Sequence, residues 1–332
     1  MPAVPGSILI VLEPSWTAKM PSVTFCVTPL YTAYQTCLAK DRLSLLRVLQ
    51  GGADPIFHWN TLALELMPRL GLSQKWCRLL PTVLRLNRTD THEQLDTILD
   101  AYLPPQGDTL RTRIKEVLAI AGYRTQSDYP VVSLLLCDDA PQFNELTAQL
   151  ALCWIHEYRH SKKLIPRFSS HLQILERFSE DFWSLYRALL AYREHPTHAE
   201  AELLRTRFER LFGQPSGYDQ LDERLAMTLA KQKSLLMVLS HPEILLHNNP
   251  AELGARQRVR KRDVSLQART REGIAAWDTF QTLVETANKF GVTIYQYFHD
   301  RMAQSHLIPA FATLIQERCL DLHLSGSWDV PM

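Results

Sequence analysis

Hydrophobic positions along the chain change period several times, and the changes divide it into elements. Three short runs rich in β-branched and aromatic residues, Ile8–Leu12, Val23–Val27 and Leu30–Cys37, are separated by Pro14, Pro21 and Pro29 and read as a β-meander. Lys40–Leu49 then carries apolar residues at helical spacing and stops just before Gly51-Gly52, which predicts a helix. Residues 58–125 keep the helical period in pieces divided at Gly71, Pro81, 87–91 and 104–107. The seven residues Val131–Cys137 are almost wholly apolar and end in Asp138-Asp139 and a proline turn, the pattern of a buried parallel strand. Helical periodicity resumes at Glu145–Leu164 and continues through Ser170–Tyr192, Pro196–Phe212 and Tyr218–Leu239. A helix starts at Pro250, another covers Gly273–Phe290 up to Gly291, Thr293–Arg301 suits a short helix or strand, and patterning is weak from Leu320.

The pattern predicts an α/β protein with a mixed sheet core and large α-helical insertions. It divides into a first part of the core (1–52), a helical insertion (53–128), a core strand with Asp138 (129–152), a second insertion (153–245), core helices with Glu252 and a basic run (246–302), and a tail (303–332). No repeat of fixed period interrupts this order.

Composition adds mainly exclusions. Of 332 residues 46% are apolar and 21% charged, ordinary for a folded protein that buries a sizeable core. Net charge is +1, so any affinity for nucleic acid must come from local clustering. Six cysteines are scattered without paired spacing, which suggests reduced, mostly buried thiols and a cytoplasmic protein. No apolar run reaches the roughly 18–20 residues of a spanning helix, so no membrane partner is expected. Glycine-rich nucleotide loops, the nucleophile elbow and the His-Glu-x-x-His zinc motif are all missing.

The densest chemistry lies at 245–262. Asn248 and Asn249 are good helix caps, Pro250 suits a first helical position, and Glu252 falls in the first turn, where the helix dipole favours a carboxylate. Arg256, Arg258, Arg260, Lys261 and Arg262 follow, five cations in seven residues. Spacing alone leaves two alternatives open: a solvated surface helix, or a helix that grips phosphates while its acid holds a metal. Asp138 tips the balance, because groups at the carboxyl end of a buried strand are where open α/β sheets place their ligands. Asp138 and Glu252 are therefore a candidate metal pair, with hard oxygen donors suited to Mg²⁺ or Mn²⁺. Asp138 directly ends the strand and is preferred to Asp139, which is better placed to cap the turn. Cys153, His156 and His160 share a helical face, but no fourth ligand at zinc spacing accompanies them. The two histidines are left to contact phosphate or orient the acids, or else to lie at the edge of the core. Lys162 and Lys163, with Arg159, add a second basic run and a candidate DNA contact. Trp183, Tyr186, Tyr192 and Trp277 sit in helical patterns and are expected in the core.

Five stretches together resemble a known family: Pro29-Leu-Tyr-Thr-Ala-Tyr34, Lys40-Asp-Arg-Leu43, Cys137-Asp-Asp-Ala-Pro-Gln-Phe143, Cys153-Trp-Ile-His156 and His247-Asn-Asn-Pro-Ala-Glu252. In that order, over about residues 25–302, they are similar to bacterial insertion-sequence transposases of the DDE, RNase H-like superfamily, near the IS66-like group. The resemblance implies an RNase H-like core, cleavage and transfer of DNA strands with two divalent ions, and a homo-oligomer on DNA. It implies metal ligands at Asp138, at the end of the fourth strand, and at Glu252, with the Cys153/His156 motif opening a helical insertion. His247 and Leu253 depart from the family pattern without removing a ligand. The family's first acid, an Asp on the first strand, has no counterpart, since no Asp precedes Asp41; Glu13 is the acid in a comparable place. The sequence therefore suggests a truncated or frame-shifted copy whose activity is degenerate. The alternatives it leaves are a catalytically inactive DNA-binding remnant and a helical interaction protein.

Overall fold

The meander forms as its β-rich runs predict. In the computed structural model β1 (Leu9–Val11) pairs antiparallel with β2 (Ser22–Val27), and β2 with β3 (Thr32–Cys37), in a register that sets Phe25 opposite Tyr34. The structure describes residues 9–11, 22–28, 30–37, 41–84, 88–102, 108–128, 131–265 and 270–321; Glu13 lies outside them. Helix α1 (Arg42–Leu49) follows, opened by Asp41, whose carboxylate accepts the Ser44 N–H at 2.8 Å.

The helical block expected at 53–128 contains a two-stranded antiparallel sheet as well. Its strands are β4 (Phe57–Trp59) and β5 (Arg88–Asp90), and between and after them come α2 (Thr61–Arg69), α3 (Gln74–Val83), α4 (His92–Tyr102) and α5 (Asp108–Thr125). Strands of three residues are too short for alternation to show. Pro81 does not end α3, which runs two residues past it to Val83. Gly122 lets α5 press against β4: a Cβ there would stand 2.4 Å from the Ile56 carbonyl oxygen.

The apolar run gives β6 (Leu134–Cys137), buried at all four positions. A 3₁₀ turn at Pro141–Phe143 and β7 (Gln149–Leu152) follow where helix was expected from Glu145. Glu145 itself stands at φ 67°, outside the helical region. Ala, Gln and Leu in 148–152 favour helix locally, but sheet pairing overrides them. The five-stranded sheet runs β3-β2-β1-β6-β7, so β6 is its fourth strand along the chain. The remaining helices are α6 (Trp154–Lys162), α7 (Ser169–Glu194), α8 (His198–Gly213), α9 (Asp219–Ala230), α10 (Gln232–Leu235), α11 (Asn249–Ser265), α12 (Arg271–Lys289), α13 (Ile294–Met302) and α14 (Phe311–Asp321). A second 3₁₀ turn covers Met237–Leu239. The protein is thus mixed α/β, mostly helical with small sheets.

The chain forms two compact units, Met1–Leu135 with Pro141–Ala148 and Pro250–Met332, and Leu136–Ala140 with Gln149–Asn249. In the first, α12 covers the outer edge of the sheet by a match of periods. Alternate amides of β3, those of Thr32, Tyr34 and Thr36, donate to Thr286 Oγ1 (3.4 Å), Thr282 Oγ1 (3.0 Å) and Asp278 Oδ2 (2.7 Å), which lie four residues apart on the helix. Two strand residues rise about 6.7 Å and four helical residues about 6 Å, so both ladders keep step and no edge amide is left bare.

The second unit is built on Trp154, fully buried at the head of α6. Its indole meets Phe182 and Tyr186 of α7 and Phe208 of α8 at centroid distances of 5.5, 6.5 and 6.0 Å. Phe178, Phe182, Leu185, Leu189 and Tyr192 recur on one face of α7, as helical periodicity requires. Tyr186 and Tyr192 are core residues as expected, while Trp183 and Trp277 are only half-buried.

Candidate metal and nucleic-acid site

Two acids end β6, and the structure gives them different partners. Asp138 is half-exposed, and its Oδ1 accepts the Ala140 N–H at 3.2 Å, so Asp138, not Asp139, makes the local turn bond. Asp139 is held instead by Lys231 Nζ at 2.7 Å. The same ammonium donates to Glu157 Oε2 at 3.0 Å, and Glu157 Oε1 accepts the Thr228 hydroxyl at 2.6 Å. Glu157 is buried, and this ammonium and hydroxyl occupy both of its oxygens. Burial alone pulls the Lys231 ammonium down, but its hydrogen bonds to Asp139 and Glu157 outweigh that and leave it above the usual lysine range. A raised lysine stabilises the fold fully below its unfolded value near 10.5, and that contribution is lost as pH rises through the folded value. Alkaline unfolding of the wild type should therefore show an added loss of stability above that pH, absent in Lys231→Met; equal pH profiles would exclude it.

No spacing rule links residues 139, 157, 228 and 231, so this network was invisible in the sequence. The backbone around it is equally fixed: the Cys153 N–H donates to the Cys137 carbonyl at 2.9 Å and the Trp154 N–H to the Leu246 carbonyl at 2.9 Å. Burial pushes the Cys137 thiol up, and the charges of Asp138 and Asp139 push it further.

The helical face of Cys153, His156 and His160 does not form a metal site. Cys153 is 2% exposed, and among the described residues no three His, Cys, Asp or Glu side chains are grouped to hold an ion. Burial lowers the His160 pKa despite nearby Glu157, so its ring is neutral at pH 7 and adds no cation to the patch. Lys162 and Lys163 are exposed.

In the first unit, Glu252 occupies the first turn of α11 and is half-exposed. Asn249 opens the helix, which places Pro250 second; the Asn249 N–H donates to His247 Nδ1 at 3.4 Å. Asn248 is fully buried, and its side-chain amide caps nothing among the described residues. Arg256, Arg260 and Lys261 are exposed and Arg262 half-exposed. Arg258 is the exception among the five cations: it is buried and does not face solvent with the others. With Ala251 and Gly254 it lies on the buried stripe of α11, at i, i+3 and i+7. Its guanidinium donates to Asp278 Oδ1 (2.7 Å), Thr36 Oγ1 (2.8 Å) and Gln281 Oε1 (2.9 Å), and stacks 5.1 Å from the Trp277 ring. Tyr34 adds a bond from its hydroxyl to the Gly254 carbonyl at 3.1 Å. Arg258 therefore fastens the acid-bearing helix to β3 and α12.

Arg42 has a comparable role after the acid turn. It reaches Glu116 Oε2 (2.9 Å), the Pro141 carbonyl (2.6 Å) and the Asn144 carbonyl (3.3 Å). Asp41 and Arg42 thus have structural roles, Asp41 capping α1 and Arg42 holding the 141–144 loop.

Asp138 and Glu252 are half-exposed carboxylates, donors of the kind Mg²⁺ and Mn²⁺ take. A family model described as Transposase IS66 family matches residues 120–276, which hold both acids and both basic runs. The uncharacterized protein y4jO of Sinorhizobium fredii is 30% identical over 277 residues, covering 82% of this chain and 84% of that protein. The chain belongs to the IS66 transposase family. No solved structure matches this family member. Among its described residues no helix is long and apolar enough to cross a membrane.

Proposed function

We propose that this IS66-family protein cuts and joins DNA strands at an RNase H-like core, with Asp138 and Glu252 as ligands for divalent metal. The observation that carries the reading is the position of Asp138, directly after the fourth strand of a sheet ordered β3-β2-β1-β6-β7, within the span matched by the family. Glu252 supports it as a half-exposed acid in the first turn of a helix. Mg²⁺ or Mn²⁺ bound there would polarise the scissile phosphate and activate the attacking water or hydroxyl. The chain's own residues have the positioning work. Arg258 and Tyr34 hold α11, and with it Glu252, against the β3–α12 seam, while Lys231 keeps Asp139 engaged. Arg256, Arg260, Lys261 and Arg262, with Lys162 and Lys163, take the phosphate backbone without reading sequence.

Full-length protein should nick supercoiled plasmid DNA only with Mg²⁺ or Mn²⁺. Asp138→Asn and Glu252→Gln should each abolish nicking and leave DNA binding intact. If each of the six cations meets a phosphate, the log–log salt slope of duplex binding is roughly −5. DNA binding without metal-dependent nicking in the wild type would establish the inactive remnant instead, and a flat salt response would exclude both.

A further inference from the structure

The connection between α6 and α7 exposes apolar side chains in the middle of positive charge. From Tyr158 to Leu175 the chain carries Arg159, Lys162, Lys163 and Arg167 and no acid at all. All four cations are exposed; Ile165, among them, is 79% exposed and Phe168, directly after Arg167, 65%. A solvated basic loop needs no such residues, and large apolar groups left in water together usually mark a contact surface. The loop is also held in place. Buried Tyr218 stacks on His171 at 4.2 Å, with its hydroxyl 2.6 Å from Gln220 Oε1 and 3.3 Å from the Ile165 carbonyl, and the Phe168 ring meets His171 edge-on at 5.1 Å. One flank of the Phe168 ring is thereby braced, while most of its surface remains open.

We infer that Phe168, flanked by Lys162, Lys163 and Arg167, is a stacking platform for an unpaired base of a single-stranded or opened DNA segment. The cations neutralise phosphates while the ring supplies a sequence-tolerant π-surface, the combination that single-strand binding uses. A paired base inside a duplex offers no free face, so the platform favours unpaired strands. The inference rests on the DNA-binding part of the function proposed above.

The test is fluorescence anisotropy of the full-length protein with labelled oligo(dT) and, separately, with a blunt duplex of equal length. Phe168→Ala should weaken oligo(dT) binding by roughly 5- to 150-fold, with duplex affinity and the melting transition unchanged. Phe168→Leu, which keeps apolar area without the ring, should behave like the alanine variant, and Phe168→Trp should restore affinity. Lys162→Ala, Lys163→Ala and Arg167→Ala should each lower the salt slope for oligo(dT) by roughly 0.7. Equal losses on both DNAs, no loss on either, or full rescue by leucine would overturn the stacking role. Loss of self-association in Phe168→Ala with unchanged DNA binding would mark a protein interface in its place. A wild type that binds neither DNA would remove the DNA-binding reading itself, an outcome separable from failure of Phe168 alone.

Discussion

Arg258→Ala lowers the stability of the first unit by about 3–5 kcal/mol, whereas Arg256→Ala and Arg260→Ala, on the same helix, change it by no more than about 0.5 kcal/mol. The difference follows from what each guanidinium touches. Arg258 and Asp278 are 9% and 13% exposed at their side chains, so deleting the arginine leaves a nearly buried carboxylate with its main charge partner gone. Thr36 and Gln281 each lose a bond as well, and the Trp277 ring loses its cation. Lysine cannot replace that planar fork, so Arg258→Lys should recover only part of the loss. Replacing both partners, as in Arg258→Met with Asp278→Asn, should cost less than the single alanine change, because no charge is then stranded and the Thr36 amide keeps an acceptor. DNA binding reverses the order: Arg256→Ala and Arg260→Ala should each lower the salt slope by about 0.9 at wild-type stability. Denaturant titration beside salt-dependent binding separates the two groups. A stable Arg258→Ala with a reduced slope would return Arg258 to the phosphate contacts.

Arg258 also shows where sequence reasoning runs out. The helix at 249–265 was legible from its caps, its proline and its charge, and its start differs from expectation by a single residue. A run of five cations does not announce which one turns inward. The available signal was the small residues Ala251 and Gly254, whose spacing defines a stripe that continues to Arg258. The long helices α7, α8 and α12 were legible for the reason α11 was: many turns repeat one apolar period. Strands β4, β5 and β7 were not, since three or four residues hold too few alternations to outweigh helix-favouring neighbours such as Ala148 and Gln149. Asp138 was legible because a buried strand must end somewhere and an acid ended it. The Lys231–Asp139 pairing was not, because it joins residues 92 positions apart through tertiary structure alone. Charge complementarity fixes such pairs only after the fold has brought them together.

The same limit applies to Trp154, which the sequence marks only as one apolar residue in a short motif, and here the expected effect is as large. Trp154→Ala empties the centre of the second unit. Removing so large a buried ring costs about 3–5 kcal/mol in lost contacts and unfilled cavity. The indole N–H also donates to the Leu235 carbonyl at 2.9 Å, and a carbonyl left without that partner adds about 1 kcal/mol or more. Melting should fall by on the order of 10 °C or more. Trp154→Phe keeps most of the volume and loses the bond, so its drop should be clearly smaller. The consequence reaches the acid turn through the backbone, since Cys153 binds the Cys137 carbonyl immediately before Asp138, and Trp154 binds Leu246 two residues before buried Asn248. On the function proposed above, metal-dependent nicking should decline more than DNA binding does at temperatures where Trp154→Phe is still folded, because Arg256, Arg260 and Lys261 are exposed and lie outside this packing. Equal melting of wild type and Trp154→Ala would show that the indole is not what holds the unit together.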